Sequence, residues 1–180
     1  MRRAALALLL AVASVGATAQ PAARRAQQHP PPAAAPAGCS DAQYRVFDFW
    51  GGSWMAISAD GSRVLGHSAV LPVLGGCALE QRWTGGTGFH AQSFAAYDRE
   101  QGLWRLMSAD QGGNTLLLQG GWTGTEMSFS GEHTRDGMHY RDRMVFTPLA
   151  SGHVRQTWES MPDGGNWNSQ FEAELQHTRN

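Results

Sequence analysis

The sequence predicts an all-β protein: an antiparallel up-and-down β-barrel of about ten strands with a short N-terminal helix. Three observations predict it. Turn signals recur at intervals of roughly ten residues from Asp60 to Gly165, the spacing of short strands joined by tight turns. The segments between them alternate apolar and polar side chains, the period-two pattern of a strand with one buried face. No helical stretch separates them, so the strands form a meander, and a meander of this length closes most easily into a barrel because closure removes exposed sheet edges.

The chain begins before that meander. Arg2 and Arg3 precede an apolar run from Ala4 to Val15, and Ala17-Thr18-Ala19 is a small-x-small cleavage pattern. Residues 1–19 therefore read as a secretory signal peptide, which predicts an exported protein, periplasmic or extracellular. The apolar run is too short to span a bilayer as a helix, and no later segment is apolar for long enough, so no membrane span is expected. Residues 20–38 are rich in Pro, Ala, Gln and Arg. They have little to bury and read as a disordered linker, which leaves residues 39–180 as the barrel domain.

An apolar content of 42% is ample for one core, and 22 glycines suit many tight turns. The net charge is −1, there is no lysine, and no basic patch stands out among the arginines. Nucleic acid is therefore not an expected partner. Oligomeric state is not legible.

Residues 41–49 predict the helix, since Tyr44, Phe47 and Trp50 recur at three-residue spacing. Asp60-Gly61 is a two-residue hairpin signal. Gly75-Gly76, residues 85–88, 98–102 and 111–114, Thr123-Gly124, a loop from Gly131 to Gly137, residues 150–152 and residues 163–165 supply the other breaks. Nine breaks separate ten strand-length segments.

Alternation predicts which side chains face inward. Met127 and Phe129 share a side, as do Trp167, Phe171, Ala173 and Leu175. Met138, Tyr140, Asp142, Met144 and Phe146 share another, Val154, Gln156 and Trp158 a third, and Leu79, Gln81 and Trp83 a fourth. From Phe89 to Tyr97 the pattern is ambiguous, because Phe94 and Ala96 compete with Phe89, Ala91, Ala95 and Tyr97. Arg141, Arg143, Arg155 and Glu159 fall on the outer face. The alternative, Arg141 or Arg155 gripping an anion from inside, needs a one-residue shift of a whole strand.

Gly52-Ser53-Trp54 resembles the G-x-W pattern that opens the first strand of lipocalins and other calycins. In that group the tryptophan lies across the closed end of the barrel, which implies a plug built from Phe49, Trp50, Gly52 and Trp54. The wider stretch, Phe47-Asp48-Phe49-Trp50-Gly51-Gly52-Ser53-Trp54, is similar to the FDFWxGxW opening of a family of small secreted bacterial proteins of unknown function. Two further blocks carry that resemblance: residues 76–83 (Gly-Cys-Ala-Leu-Glu-Gln-Arg-Trp), and residues 154–159 (Val-Arg-Gln-Thr-Trp-Glu) followed by Asp163-Gly164-Gly165 and Trp167. It covers roughly residues 39–175. One departure is Met144, where a tryptophan is expected. The resemblance implies a calycin-like, lipocalin-like barrel and no activity, because fold does not fix function.

Cys39 and Cys77 are the two cysteines. An oxidising destination favours a disulfide between them, and two buried thiols are the alternative.

The inferred interior is apolar and aromatic with scattered polar groups: Gln81, Tyr97, Asp142, Gln156 and Ser169. About ten strands enclose more space than side chains easily fill. The candidate ligand-binding residues are Gln81, Trp83, Tyr97, Tyr140, Asp142, Gln156 and Trp158, around a small, mostly apolar ligand. The alternative is a filled barrel, a structural or interaction module whose polar groups satisfy one another.

Catalytic signatures are lacking: no G-x-S-x-G, H-E-x-x-H, C-x-x-C or phosphate-cradling loop occurs. Asp163 to Glu174 superficially resembles a calcium loop, but Gly165 and Trp167 stand where oxygen ligands are needed. His133 and His139 flank a hairpin near Glu132 and Asp136, a weak metal arrangement. Some ten-stranded calycin-like proteins hold haem through a barrel histidine, and by that likeness His90 or His177 is the candidate here. No cofactor is otherwise expected, and only Asp142 with its polar neighbours supports an enzyme.

Overall fold

The computed structural model of the chain describes residues 39–178. The signal peptide and linker expected over residues 1–38 lie outside them. Ten antiparallel strands follow in simple sequence: β1 (Gly52–Ser58), β2 (Val64–Val73), β3 (Ala78–Gly85), β4 (His90–Asp98), β5 (Leu103–Asp110), β6 (Thr115–Trp122), β7 (Met127–Arg135), β8 (Met138–Pro148), β9 (Val154–Pro162) and β10 (Asn168–His177). Each pairs with the next, and β10 returns to β1 with Trp54 opposite His177, so the barrel is closed.

The expected helix is shorter than residues 41–49. It is one α turn, α1 (Ala42–Arg45), followed by a 3₁₀ turn over Asp48–Trp50. This lead-in covers the end of the barrel where β1 starts. Phe47 is wholly buried at its centre. Its ring stacks on Trp50 at 4.8 Å and meets Trp104, Phe129 and Phe146 at 5.6, 5.6 and 5.1 Å. Trp54 Nε1 donates to the Trp50 carbonyl at 2.9 Å, which locks the 3₁₀ turn over the first strand. Gly52 has φ +142°, and a Cβ there would lie 3.0 Å from the His177 ring. The glycine of the G-x-W pattern is thus required twice, by backbone and by space. Phe49 is half-buried beside Trp122 at 5.8 Å.

Cys39 and Cys77 form a disulfide with Cα atoms 5.1 Å apart, within the span such a bond needs. It ties the start of the lead-in to the β2–β3 connection. Arg45 donates to the Gly76 carbonyl beside it, and Trp104 Nε1 donates to the Gln43 carbonyl at 3.1 Å. The cap is therefore held covalently, by hydrogen bonds and by ring packing.

Two expectations are corrected and one ambiguity is resolved. The break from Gly131 to Gly137 is mostly strand: β7 runs to Arg135, and only Asp136 and Gly137, with φ +52° and +77°, make the turn. Both central residues of such a hairpin turn need positive φ, which Asp-Gly supplies. Trp167 does not share a face with Phe171. A bulge between Ser169 and Phe171 shifts the register, and Trp167 lies outside under the Arg143 guanidinium at 4.4 Å. In β4, Ala91, Ala95 and Tyr97 point inward and Phe94 outward, since Ala95 is buried and Phe94 is 41% exposed.

Arg143 pairs with Glu159 and Arg141 with Glu132 on the outer face. Arg155 is exposed beside them, so the inward-arginine alternative does not hold. No helix among the described residues is long and apolar enough to cross a membrane.

Candidate functional site

The two halves of the barrel interior differ. Around the cap it is solid: Phe47, Trp50, Trp54, Met127, Phe129, Phe146 and Leu175 are all essentially inaccessible. Above that level a cavity of about 1320 Å³ opens toward the end that carries the β1–β2, β3–β4, β5–β6, β7–β8 and β9–β10 turns. Trp50, Leu106, Met144 and Phe146 form its floor. The Trp50 indole N–H has no hydrogen-bond acceptor among the described residues.

Aromatic rings make the walls. Trp83 of β3 and Phe171 of β10 meet edge to face at 5.5 Å, reaching over the two strands between them. Gly66 of β2 makes this possible, because a Cβ there would lie 2.7 Å from the Trp83 ring. Trp158 of β9, the cross-strand partner of Phe171, continues that wall with Gln156.

Polar groups crowd the mouth, and those deeper on the walls are mostly paired. Gln81 Nε2 donates to Ser68 Oγ at 2.9 Å, and Ser93 Oγ to Ser108 Oγ at 3.2 Å. Gln156 Nε2 reaches only the Met144 sulfur at 3.8 Å, a weak acceptor.

The densest polar cluster centres on Asp142, which is 1% exposed. Its carboxylate accepts from Trp158 Nε1 at 2.8 Å and from Ser160 Oγ. His133 Nδ1 meets its second oxygen. A carboxylate only accepts, so that ring nitrogen carries the proton and Nε2 is the ring edge left for the cavity. The register explains the cluster. Asp142 lies directly opposite Ser160 on β9 and Gly131 on β7, and His133 follows Gly131 by two residues on the same face of β7.

Of the seven candidate ligand residues, Gln81, Trp83, Gln156 and Trp158 line the cavity. Asp142 sits just behind its surface and orients His133 and Trp158. Tyr140 flanks His133, ring on ring at 5.0 Å. Tyr97 lies apart near the cap, edge to face with Tyr44 at 5.1 Å. Ser169 reaches only the exposed mouth. His133, Ser93, Ser108 and Arg135 line the cavity without having been singled out for it. Continued alternation from Met127 through Phe129 and Gly131 points to His133 and Arg135.

His133 and His139 do not meet. His133 turns inward to Asp142, whereas His139 turns outward between Asp163 and Glu132. Among the described residues no three His, Cys, Asp or Glu side chains gather as a metal site requires. The haem candidates are elsewhere: His90 bonds Thr84 at the rim, and His177 stacks on Trp54 at 3.8 Å. Neither lines the cavity.

Ser160, Asp142 and His133 have the composition of a hydrolytic triad but not its order. The hydroxyl donates to the carboxylate and no base accepts from it, so no activated nucleophile results. No family model matches the chain, and no curated protein matches it.

Proposed function

We propose that this chain is an exported barrel that binds a small, largely apolar ligand in the upper half of its lumen. The cavity carries the reading: about 1320 Å³ of space with an aromatic and aliphatic floor, mostly paired polar groups on the walls and a polar mouth. That is the usual make-up of a small-molecule site, and the volume exceeds what a drug-sized ligand requires. The leader at residues 1–19 and the disulfide favour export. Kinship with the FDFWxGxW family of secreted bacterial proteins is proposed on the three sequence blocks.

The filled-barrel reading draws on the solid closed half, where aromatic packing leaves no room. It describes the plug well but gives the cavity no purpose. Native mass spectrometry of the mature protein purified from its own host separates the two. A retained mass that is lost on denaturation supports ligand binding, and a bare chain that takes up no apolar compound supports the filled module.

A further inference from the structure

We infer that the ligand is an amphipathic carboxylate, its apolar body in the lumen and its head held at the rim by His133 and Arg135; this rests on the ligand-binding reading above. The two residues lie two apart on β7, on its inward face, and both line the cavity. Both also rest on one platform. The Tyr140 ring stacks parallel to His133 at 5.0 Å, with 6° between the planes, and the Arg135 guanidinium carbon sits 4.9 Å from its centre.

Each is chemically open on the cavity side. His133 Nδ1 is committed to buried Asp142, while Nε2 has no partner among the described residues. Arg135 has no carboxylate within ion-pair distance among them, unlike Arg45, Arg82, Arg99, Arg105, Arg141 and Arg143. A planar carboxylate suits both: the guanidinium offers a donor fork, and the ring offers one N–H edge. A proton shared between Nε2 and the ligand's carboxyl group lets one imidazole bridge that group and Asp142.

The rest of the mouth favours this side. Asp60 accepts from Ser58 Oγ at 2.6 Å and from Ser62 N at 3.0 Å, so its oxygens are taken up in its own hairpin, where it also offsets Arg63. Asp110 is likewise tied to Gly112 and Asn114. Glu172 is the acidic group at the mouth without such ties, and β8 and β9 separate its strand from β7. Asp60, Asp110 and Glu172 all carry negative charge at the mouth, but the first two are tied into their own hairpins and the third lies three strands from β7. A cationic head set on β7 would therefore meet Arg135, and a neutral head would leave Arg135 unused.

Calorimetric titration of the mature protein with dodecanoate, dodecanol and dodecylamine, each below its aggregation threshold, tests this. Dodecanoate should bind about tenfold tighter than dodecanol, with dodecylamine weakest. Arg135→Gln, at an exposed position that leaves folding intact, should collapse that difference. His133→Gln should reduce it in the same direction. Equal affinity for dodecanoate and dodecanol, preference for the amine, or a preference unchanged by Arg135→Gln overturns the carboxylate head while leaving the apolar site standing. Binding of none of the three overturns both.

Discussion

Trp158 donates its indole N–H to Asp142 at 2.8 Å, which makes a ring of the cavity wall part of a buried polar cluster. Asp142 is also the acceptor for Ser160 and His133, so one carboxylate positions three side chains on the two strands that flank its own. Asp142→Asn keeps the shape but turns an amide donor toward one of those donors. It should cost about 2–4 kcal/mol, the range for leaving buried polar partners unsatisfied. Ser160→Ala removes one donor and should cost about 1 kcal/mol. Urea unfolding monitored by far-ultraviolet circular dichroism checks both.

The cap makes a second demand. Trp54 is 1% exposed and holds the Trp50 carbonyl. Trp54→Ala opens a void in the solid half of the barrel, and its expected cost is about 3–5 kcal/mol. An unchanged melting temperature would refute the plug.

The disulfide closes a ring with a sequence separation of 38 residues. On the chain-entropy account, replacing both cysteines by serine should cost about 4 kcal/mol. The bridge lies at the capped end, so affinity for an apolar ligand should persist wherever the variant is folded. Denaturation midpoints report the stability loss, and a thiol assay on unfolded, unreduced wild type should find no free thiol.

The β6–β7 seam depends on two glycines. A Cβ on Gly120 would lie 1.9 Å from the Ser128 carbonyl oxygen, and one on Gly131 2.3 Å from that of Leu117. Neither position is backbone-strained; both lack space. Gly120→Ala and Gly131→Ala should each cost about 1–3 kcal/mol by forcing the strands apart. Thermal melts of the two variants, set beside Gly121→Ala where nothing lies within 4 Å, isolate the effect.

Two surface groups have opposite pH signatures. Hydrogen bonds from Ser58 and then Ser62 lower Asp60 from 3.8 to about 2. Its stabilising contribution is therefore present above the ordinary value and is lost as pH falls toward about 2. The Asp163 hydrogen bond raises His139 above its ordinary 6.5. That contribution is present below 6.5 and is lost as pH rises through the raised value. Carboxyl and imidazole NMR titrations should show both displacements, with Ser58→Ala moving Asp60 up and Asp163→Asn moving His139 down.

The strand count was legible because tight turns demand particular residues, as at Asp136-Gly137, where geometry admits few others. Asp60-Gly61 also marked a break, but the connection runs over residues 59–63 and only Gly61 has positive φ, so it is not the two-residue turn expected. Gly131 misled for the opposite reason: it is a glycine of close approach inside a strand, and reading it as the start of a loop cut β7 short of Arg135 and hid the inward role of His133. Trp167 was misplaced because period-two counting cannot see the bulge at Ser169 and Phe171. Alternation put Tyr97 and Asp142 on the inner face, yet depth along the barrel is set by strand register. That register places Tyr97 opposite Trp104 near the cap and Asp142 opposite Ser160.

The central claim is that the upper lumen is open space for an apolar ligand. Titration of the mature protein with the neutral dye Nile red tests it most directly when paired with Ala91→Trp, which sets an indole into the cavity wall opposite Trp83 on the next strand. The account predicts saturable, equimolar binding by the wild type and its loss in a variant that melts cooperatively like the parent. Absence of saturable binding to folded wild type, or equal binding by the variant, would contradict it.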